Sequence, residues 1–280
     1  MAIFKERQYV RVDVDQERDE TLWMKCKSCG ELVFKRRVRE SSNICPNCGQ
    51  YFFHTAAERV ESLVDEGSFV DATEPIVAND PLTFVDSRSY AERIDDAREK
   101  TGLNDAILCG RAAIDEVPVV IGVMDFRFVG GSMGSVVGEQ ICRAIEMAVE
   151  ERRPFILVSS SGGARLQEGL FSLMQMAKTA AVRERLADAG LPFISVMTYP
   201  TSGGVQASIA SLGDVIIAER GAMIGFAGRR VIQNTIAEEL PENYQTDVFA
   251  FEHGFVDRVV RREELRDELA LLLRFFEEDA

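Results

Sequence analysis

The chain has 280 residues, is 46% hydrophobic and 8% aromatic, and carries a formal net charge of −14. That length buries one sizeable core plus a small accessory module, and the composition is that of a globular chain, not a disordered one. The negative balance argues against attraction of the whole chain to nucleic acid or a membrane, and the two histidines, His54 and His253, leave little for a His-based triad or a His-rich metal site.

No run of apolar residues is long enough for a transmembrane helix. The start, Met1 to Gln8, lacks the apolar stretch of a secretory signal. The cytoplasm is the expected location. Residues 1–22 are polar and charged and are expected to form a flexible N-terminal segment.

Residues 23–52 carry four of the six cysteines, as Cys26-x-x-Cys29 and Cys45-x-x-Cys48, each pair followed by a glycine, Gly30 or Gly49. Two such knuckles place four thiolates tetrahedrally around a structural Zn²⁺. Two disulfides are the alternative reading, disfavoured in a reducing compartment. Four protein ligands leave no open position for water, so the metal is assigned to structure. Between the knuckles, Glu31 to Arg39 alternates and is charged, and it is expected to form a short hairpin of a zinc ribbon. From Lys25 to Arg39 there are six basic residues and one acidic one, so contact with nucleic acid is an accessory reading of the ribbon. Cys109 and Cys142 are expected to be inert core thiols.

Residues 53–280 form the second expected domain. Helices are expected from Thr55, stopped by Gly67, and over Ser89–Lys100. Strands 106–114 and 117–126, separated by Asp115-Glu116, give a hairpin signal. Then an apolar run beginning at a proline breaks into a glycine pair three times. Pro118 leads to Gly130-Gly131, Pro154 to Gly162-Gly163 and Pro192 to Gly203-Gly204, with the prolines 36 and then 38 residues apart. This is an internal repeat of one supersecondary unit. Helices are expected after each pair, over 136–151, 165–187 and 205–211. Strands at 214–218 and 222–226 and helices at 229–238, 244–252 and 262–277 close the chain. The class is α/β, and a repeat that is ββα early and βα later suits a stacked spiral. A glycine turn between a buried strand and a helix leaves backbone N–H groups bare, and such groups bind anions or a developing oxyanion. The plainer reading of each pair is a tight turn needed for close packing.

Four segments carry a family resemblance. They are Phe126–Glu139 (FRFVGGSMGSVVGE), Ser161–Glu168 (SGGARLQE), Phe171–Ala177 (FSLMQMA) and Ile224–Val231 (IGFAGRRV). Together with the Cys₄ ribbon they resemble the β subunit of bacterial acetyl-CoA carboxylase carboxyltransferase over about residues 20–270. The resemblance implies a crotonase-like (ClpP/crotonase) spiral of ββα units with a bound zinc. It implies a partner α subunit in an α₂β₂ assembly, working with a biotin carboxyl carrier protein and a biotin carboxylase. The implied reaction moves a carboxyl group from carboxybiotin on the carrier to acetyl-CoA, giving malonyl-CoA for fatty-acid synthesis.

Carboxylating a thioester methyl passes through an enolate whose oxygen needs fixed donors. The expected donors are the backbone N–H groups of Gly162, Gly163, Gly203 and Gly204. Gly130 and Gly131, with Arg127, Arg165, Arg229 and Arg230 beside the glycine loops, are the candidates for holding coenzyme A and its phosphates. Two other functions remain as alternatives. A stand-alone crotonase-type hydratase or isomerase would need a carboxylate over the acyl chain, with Glu139 or Glu168 the nearest. A zinc-ribbon regulator would bind nucleic acid through Lys35, Arg36 and Arg37.

Overall fold

The computed structural model describes residues 22–236 and 239–278, in two units, Met1–Phe52 and Phe53–Ala280. The N-terminal segment expected over 1–22 lies, apart from Leu22, outside the described residues.

In the first unit Trp23–Lys25 (β1) pairs antiparallel with Leu32–Phe34 (β2). The hairpin therefore straddles the first cysteine knuckle. Lys35–Glu40 follows as a helix (α1), which corrects the expectation of a hairpin within 31–39. Lys, Arg and Glu are good helix formers, and Arg36 pairs with Glu40 one turn on at 2.8 Å. The core of this unit is small: Cys26, Val33, Val38 and Cys45, with Met24 and Phe52 packed against it.

The second unit opens with Ala56–Leu63 (α2), Val70–Asp71 (β3) and Tyr90–Thr101 (α3). Both helices start with a reciprocal capping box, Thr55 with Glu58 and Ser89 with Glu92, which satisfies two otherwise orphaned donors each time. Ile107–Ile114 (β4) and Val117–Met124 (β5) form the expected hairpin. Its two turn residues, Asp115 and Glu116, both have positive φ, 51° and 69°, an uncommon conformation away from glycine. The Asp65 carboxylate supports it by accepting from both their N–H groups, at 2.9 and 2.8 Å.

Strands and helices then alternate: Ser135–Glu151 (α4), Phe155–Ser161 (β6), Leu170–Asp188 (α5), Phe193–Ser202 (β7) and Gly203–Gln206 (α6). Val215–Glu219 (β8), Ile224–Gly225 (β9), Arg229–Ile236 (α7), Asp247–Glu252 (α8), Arg258–Val260 (β10) and Leu265–Glu278 (α9) complete the order. Sequence patterning missed β10, which is too short to show a period. No helix among the described residues is long and apolar enough to cross a membrane.

The main sheet runs β10-β8-β7-β6-β5-β4-β3, with β9 on β7. From β10 to β5 the neighbours are parallel, and β4 and β3 are antiparallel. The pleat sends Phe155 and Leu157 to the core beneath α4 and Ile156 and Val158 to the opposite core, with Leu269 and Leu273 of α9. Because β5, β6 and β7 are parallel neighbours, their carboxyl ends lie side by side. The three glycine loops follow those ends.

A buried ion triad fixes the far side. Glu219 at the end of β8 receives Arg59 of α2 at 2.7 Å and Arg262 at 2.9 Å. Burial pushes the Glu219 carboxyl up, but Arg59 and Arg262 outweigh it and hold it at about 2, against an ordinary 4.5. The lowered value means that the ionised form contributes stability above about pH 4.5, and that this contribution is lost as pH falls towards 2. Glu219→Gln removes the buried carboxylate that Arg59 and Arg262 share, at a cost of roughly 3–5 kcal/mol near neutrality. The gap in unfolding free energy between wild type and variant should narrow between pH 7 and pH 3. A gap independent of pH would show that the triad is not ionised as described.

Candidate active site and metal centre

The four cysteines of the ribbon meet. Their sulfur atoms lie within 4.8 Å of one another, with Cys26–Cys48 at 3.7 Å and Cys29–Cys45 at 3.9 Å. A tetrahedron with Zn–S bonds of about 2.3 Å has edges of about 3.8 Å, so the spacing fits a zinc ion. It does not fit disulfides, and the thiols are free. The two knuckles are built alike. Gly30 N–H donates to Cys26 O at 3.0 Å and Gly49 N–H to Cys45 O at 2.9 Å. Cys26 N–H donates to Glu31 O at 2.9 Å and Cys45 N–H to Gln50 O at 2.8 Å. The four thiolates would hold the ion, whose contribution there is to fold the ribbon. Burial pushes the Cys109 thiol up to about 12 and the Cys142 thiol up to about 11, so both stay protonated and unreactive at neutral pH.

At the sheet's carboxyl edge the glycine loops pack against one another. Gly131 has φ +62°, and a Cβ on it would lie 2.0 Å from Ser160 O. Gly163 has φ +112°, and a Cβ there would lie 3.0 Å from both Gly203 Cα and Gly204 N. These two positions need glycine because backbone meets backbone. The packing reading of the glycine pairs therefore holds here.

Several amides expected to be bare have partners. Gly131 N–H donates to Phe128 O at 2.9 Å and Gly162 N–H to Gly130 O at 2.8 Å. Gly163 N–H donates to the Ser161 hydroxyl at 3.0 Å. The start of α4 is filled from within, since Glu168 Oε2 accepts from Ser135 N–H at 2.6 Å. What remains lies where the second and third loops touch. Met133 N–H donates to Gly163 O at 2.8 Å. A trans peptide sets its C=O and N–H on opposite sides, so Ala164 N–H is turned away from the first loop. The Ala164 nitrogen is 3.3 Å from where a Gly204 Cβ would stand. Gly204 is in the first turn of α6, where an N–H has no acceptor within the helix. Gly162 is exposed, Gly203 half-buried, and Gly163 and Gly204 are buried.

The candidate arginines separate. Arg165 is fully buried, and its five donors are all taken. Nε donates to Ser132 Oγ (3.1 Å), Nη1 to Asp105 Oδ2 (2.9 Å) and Tyr90 OH (3.2 Å), and Nη2 to Asp105 Oδ1 (2.5 Å) and Ser132 O (2.7 Å). Burial pulls the Arg165 pKa down, but Asp105 outweighs it and keeps it above its ordinary value. The expectation that Arg165 holds a coenzyme A phosphate is corrected: no N–H is left to offer. Arg127 is 43% exposed at its side chain and pairs with Asp125 at 2.7 Å. The side chains of Arg229 and Arg230 lie outside the described residues.

Neither carboxylate named for a hydratase is poised over a substrate. Glu139 pairs with Arg143 at 2.8 Å and with Lys178. Glu168 is 2% exposed, accepts from Tyr90 OH at 2.6 Å and caps α4. Sequence reasoning missed Tyr90, Asp105 and Ser132, which lie 75, 60 and 33 residues from Arg165. No local pattern links them.

A largely parallel, α-covered sheet whose glycine loops converge at its carboxyl edge is a crotonase-like layout, and residues 53–277 match the carboxyl transferase domain family. A solved transcarboxylase 12S, with methylmalonyl-coenzyme A and methylmalonic acid bound, superposes with a TM-score of 0.65 at 26% identity, covering 84% of this chain and 42% of that one. Residues 23–48 match the acetyl-CoA carboxylase zinc finger domain. The acetyl-coenzyme A carboxylase carboxyl transferase β subunit of Synechococcus sp. (strain WH7803) is 46% identical over 96% of this chain and 92% of its own. That of Gloeobacter violaceus is 54% identical over 90% and 83%. The chain belongs to the family of acetyl-coenzyme A carboxylase carboxyl transferase β subunits.

Proposed function

We propose that this chain binds acetyl-CoA and, with an α subunit of similar fold, moves a carboxyl group onto its methyl carbon from carboxybiotin carried on a separate protein. The observation that carries this reading is the meeting of the second and third glycine loops, which brings the backbone at Gly163 and Ala164 against Gly204. Amide N–H groups held there would receive the thioester oxygen as the methyl proton leaves and the enolate forms. Carboxybiotin, when bound, would supply both the carboxyl carbon and the base: cleavage of its N–CO₂ bond would leave the electron pair on the ureido nitrogen to take the methyl proton, and the enolate carbon would bond to the freed carboxyl carbon. No acidic or basic side chain of this chain is then required, which agrees with the engagement of Glu139 and Glu168 elsewhere. Of the four glycines first considered, Gly163 and Gly204 are retained as donors and Ala164 joins them. Gly162 and Gly203 close the loops. Gly130 and Gly131 wall the site, and the Gly163 amide must exchange Ser161 Oγ for the substrate oxygen.

Coenzyme A phosphates need cations, and half-exposed Arg127, with Arg229 and Arg230, is the proposed source. An apolar stripe on and before α5 supports a partner of similar fold: Leu166 is 81% exposed, Leu170 69%, Leu173 52% and Met174 57%. We assign the assembly as α₂β₂, working with biotin carboxyl carrier protein and biotin carboxylase. Four cysteines spaced for a metal and not for disulfides suit the cytoplasm. The purified chain alone should be nearly inactive. With its α subunit and a carboxylated biotin carrier, it should convert acetyl-CoA to malonyl-CoA. A verified complex that fails to do so rejects the reading.

A further inference from the structure

The fully buried guanidinium of Arg165 lies beneath the loops and touches no place a ligand could reach. Its five N–H groups go to separate parts of the chain: Asp105 just before β4, Tyr90 at the start of α3, and both the hydroxyl and the carbonyl of Ser132 in the first glycine loop. Its own backbone N–H donates to Met133 O at 3.0 Å, next to the Met133 N–H that holds Gly163 O. The chain of bonds continues through Tyr90 OH to Glu168, and from Glu168 to Ser135 N–H at the start of α4. Arg165 also stacks 5.6 Å over the Phe128 ring of the first loop. Residues 128, 132, 133 and 135 on one side, and 165 and 168 on the other, are thus tied across a single charge.

A buried ion pair is weak evidence for stability, since apolar residues of similar volume often do as well. What the guanidinium supplies is geometry: a rigid planar fork whose donors point in set directions. The bonds around it end one residue from Ala164 and two from Gly163. We infer that Arg165, clamped by Asp105, is a positioning residue for carboxyl transfer: it holds the first glycine loop at Ser132 against the second, and so sets where the Gly163 and Ala164 amides point relative to Gly204. The inference rests on the carboxyl-transfer reading for its kinetic consequence, but not for its structural one.

The test uses the assembled enzyme with Arg165→Lys, which keeps the charge and loses the fork. Ser132→Ala is the milder variant: it loses the Arg165 Nε–Ser132 Oγ bond and the Ser132 Oγ–Val129 O bond within the first loop (2.8 Å) and keeps the carbonyl contact. Misplacing reacting groups by about 1 Å costs about 10²-fold. Arg165→Lys is accordingly expected to lower kcat at least about tenfold with the KM for acetyl-CoA within about twofold, and Ser132→Ala to lower kcat by a smaller factor in the same sense. Amide hydrogen exchange over 160–166 and 200–206 should quicken in both variants while β5 and the α4 interior stay protected. If Arg165→Lys does not fold, Ser132→Ala decides. Wild-type exchange at the loops in folded variants overturns the inference whatever the activity. So does a raised KM at unchanged kcat, which would make Arg165 a ground-state binding group. A wild-type complex without turnover fails the carboxyl-transfer reading instead, and the exchange measurement still judges the clamp.

Discussion

Replacing Gly163 by alanine in the assembled enzyme is expected to lower kcat by roughly 10²–10³-fold, the usual effect of losing one oxyanion donor, with zinc content unchanged. The backbone there has φ +112°, and the added methyl would lie 3.0 Å from Gly203 Cα and Gly204 N. No flexible side chain can yield, so the second loop must move off the third. That is the gap in which the substrate oxygen is placed. Strain at such a position costs on the order of 1–3 kcal/mol, so some stability is lost as well. Gly67→Ala provides the control, because Gly67 has φ +71° and open space around it. It should cost stability of similar size and leave kcat intact. Equal kinetic losses in the two variants, measured as malonyl-CoA formation, would show that Gly163 acts only through folding.

Removing zinc is expected to unfold the ribbon while the carboxyl transferase unit keeps its structure. Two of the four residues in the ribbon's core, Cys26 and Cys45, are themselves ligands. Without the metal nothing ties the two knuckles together, and Val33 and Val38 cannot sustain a fold. Structural zinc contributes about 10–16 kcal/mol in comparable small domains. The second unit has its own two cores on either face of the sheet. Chelation, or Cys26→Ser, should therefore release one zinc per chain and abolish amide protection across 23–52, leaving protection across β5, β6 and β7. Ribbon amides that stay protected after the metal has gone would show that thiol packing suffices.

Much of the frame was legible because its determinants are local. The Cys-x-x-Cys-Gly knuckles, the helices opening at Thr55 and Ser89, and the three turns from strand into glycine pair are each set by a short stretch of sequence. The ribbon helix Lys35–Glu40 was misread because alternating charge there reflects an i,i+4 ion pair, not a strand's two faces. The site was legible in outline only. The glycine pairs mark the loops, but whether an amide is free depends on neighbouring loops: Gly130 O claims Gly162 N–H, and Glu168 claims Ser135 N–H. Arg165 looked like a phosphate ligand because nothing near it in sequence shows that Asp105 and Ser132 fold around it.

The most direct measurement is the infrared stretch of the thioester carbonyl of isotope-labelled acetyl-CoA bound to the assembled enzyme. The polarising amides of Gly163, Ala164 and Gly204 at the meeting of the second and third loops should move it to lower wavenumber than in free acetyl-CoA, and Gly163→Ala should reverse most of that displacement. A carbonyl that absorbs at its solution frequency in the saturated wild-type complex would contradict the placement of the oxyanion site.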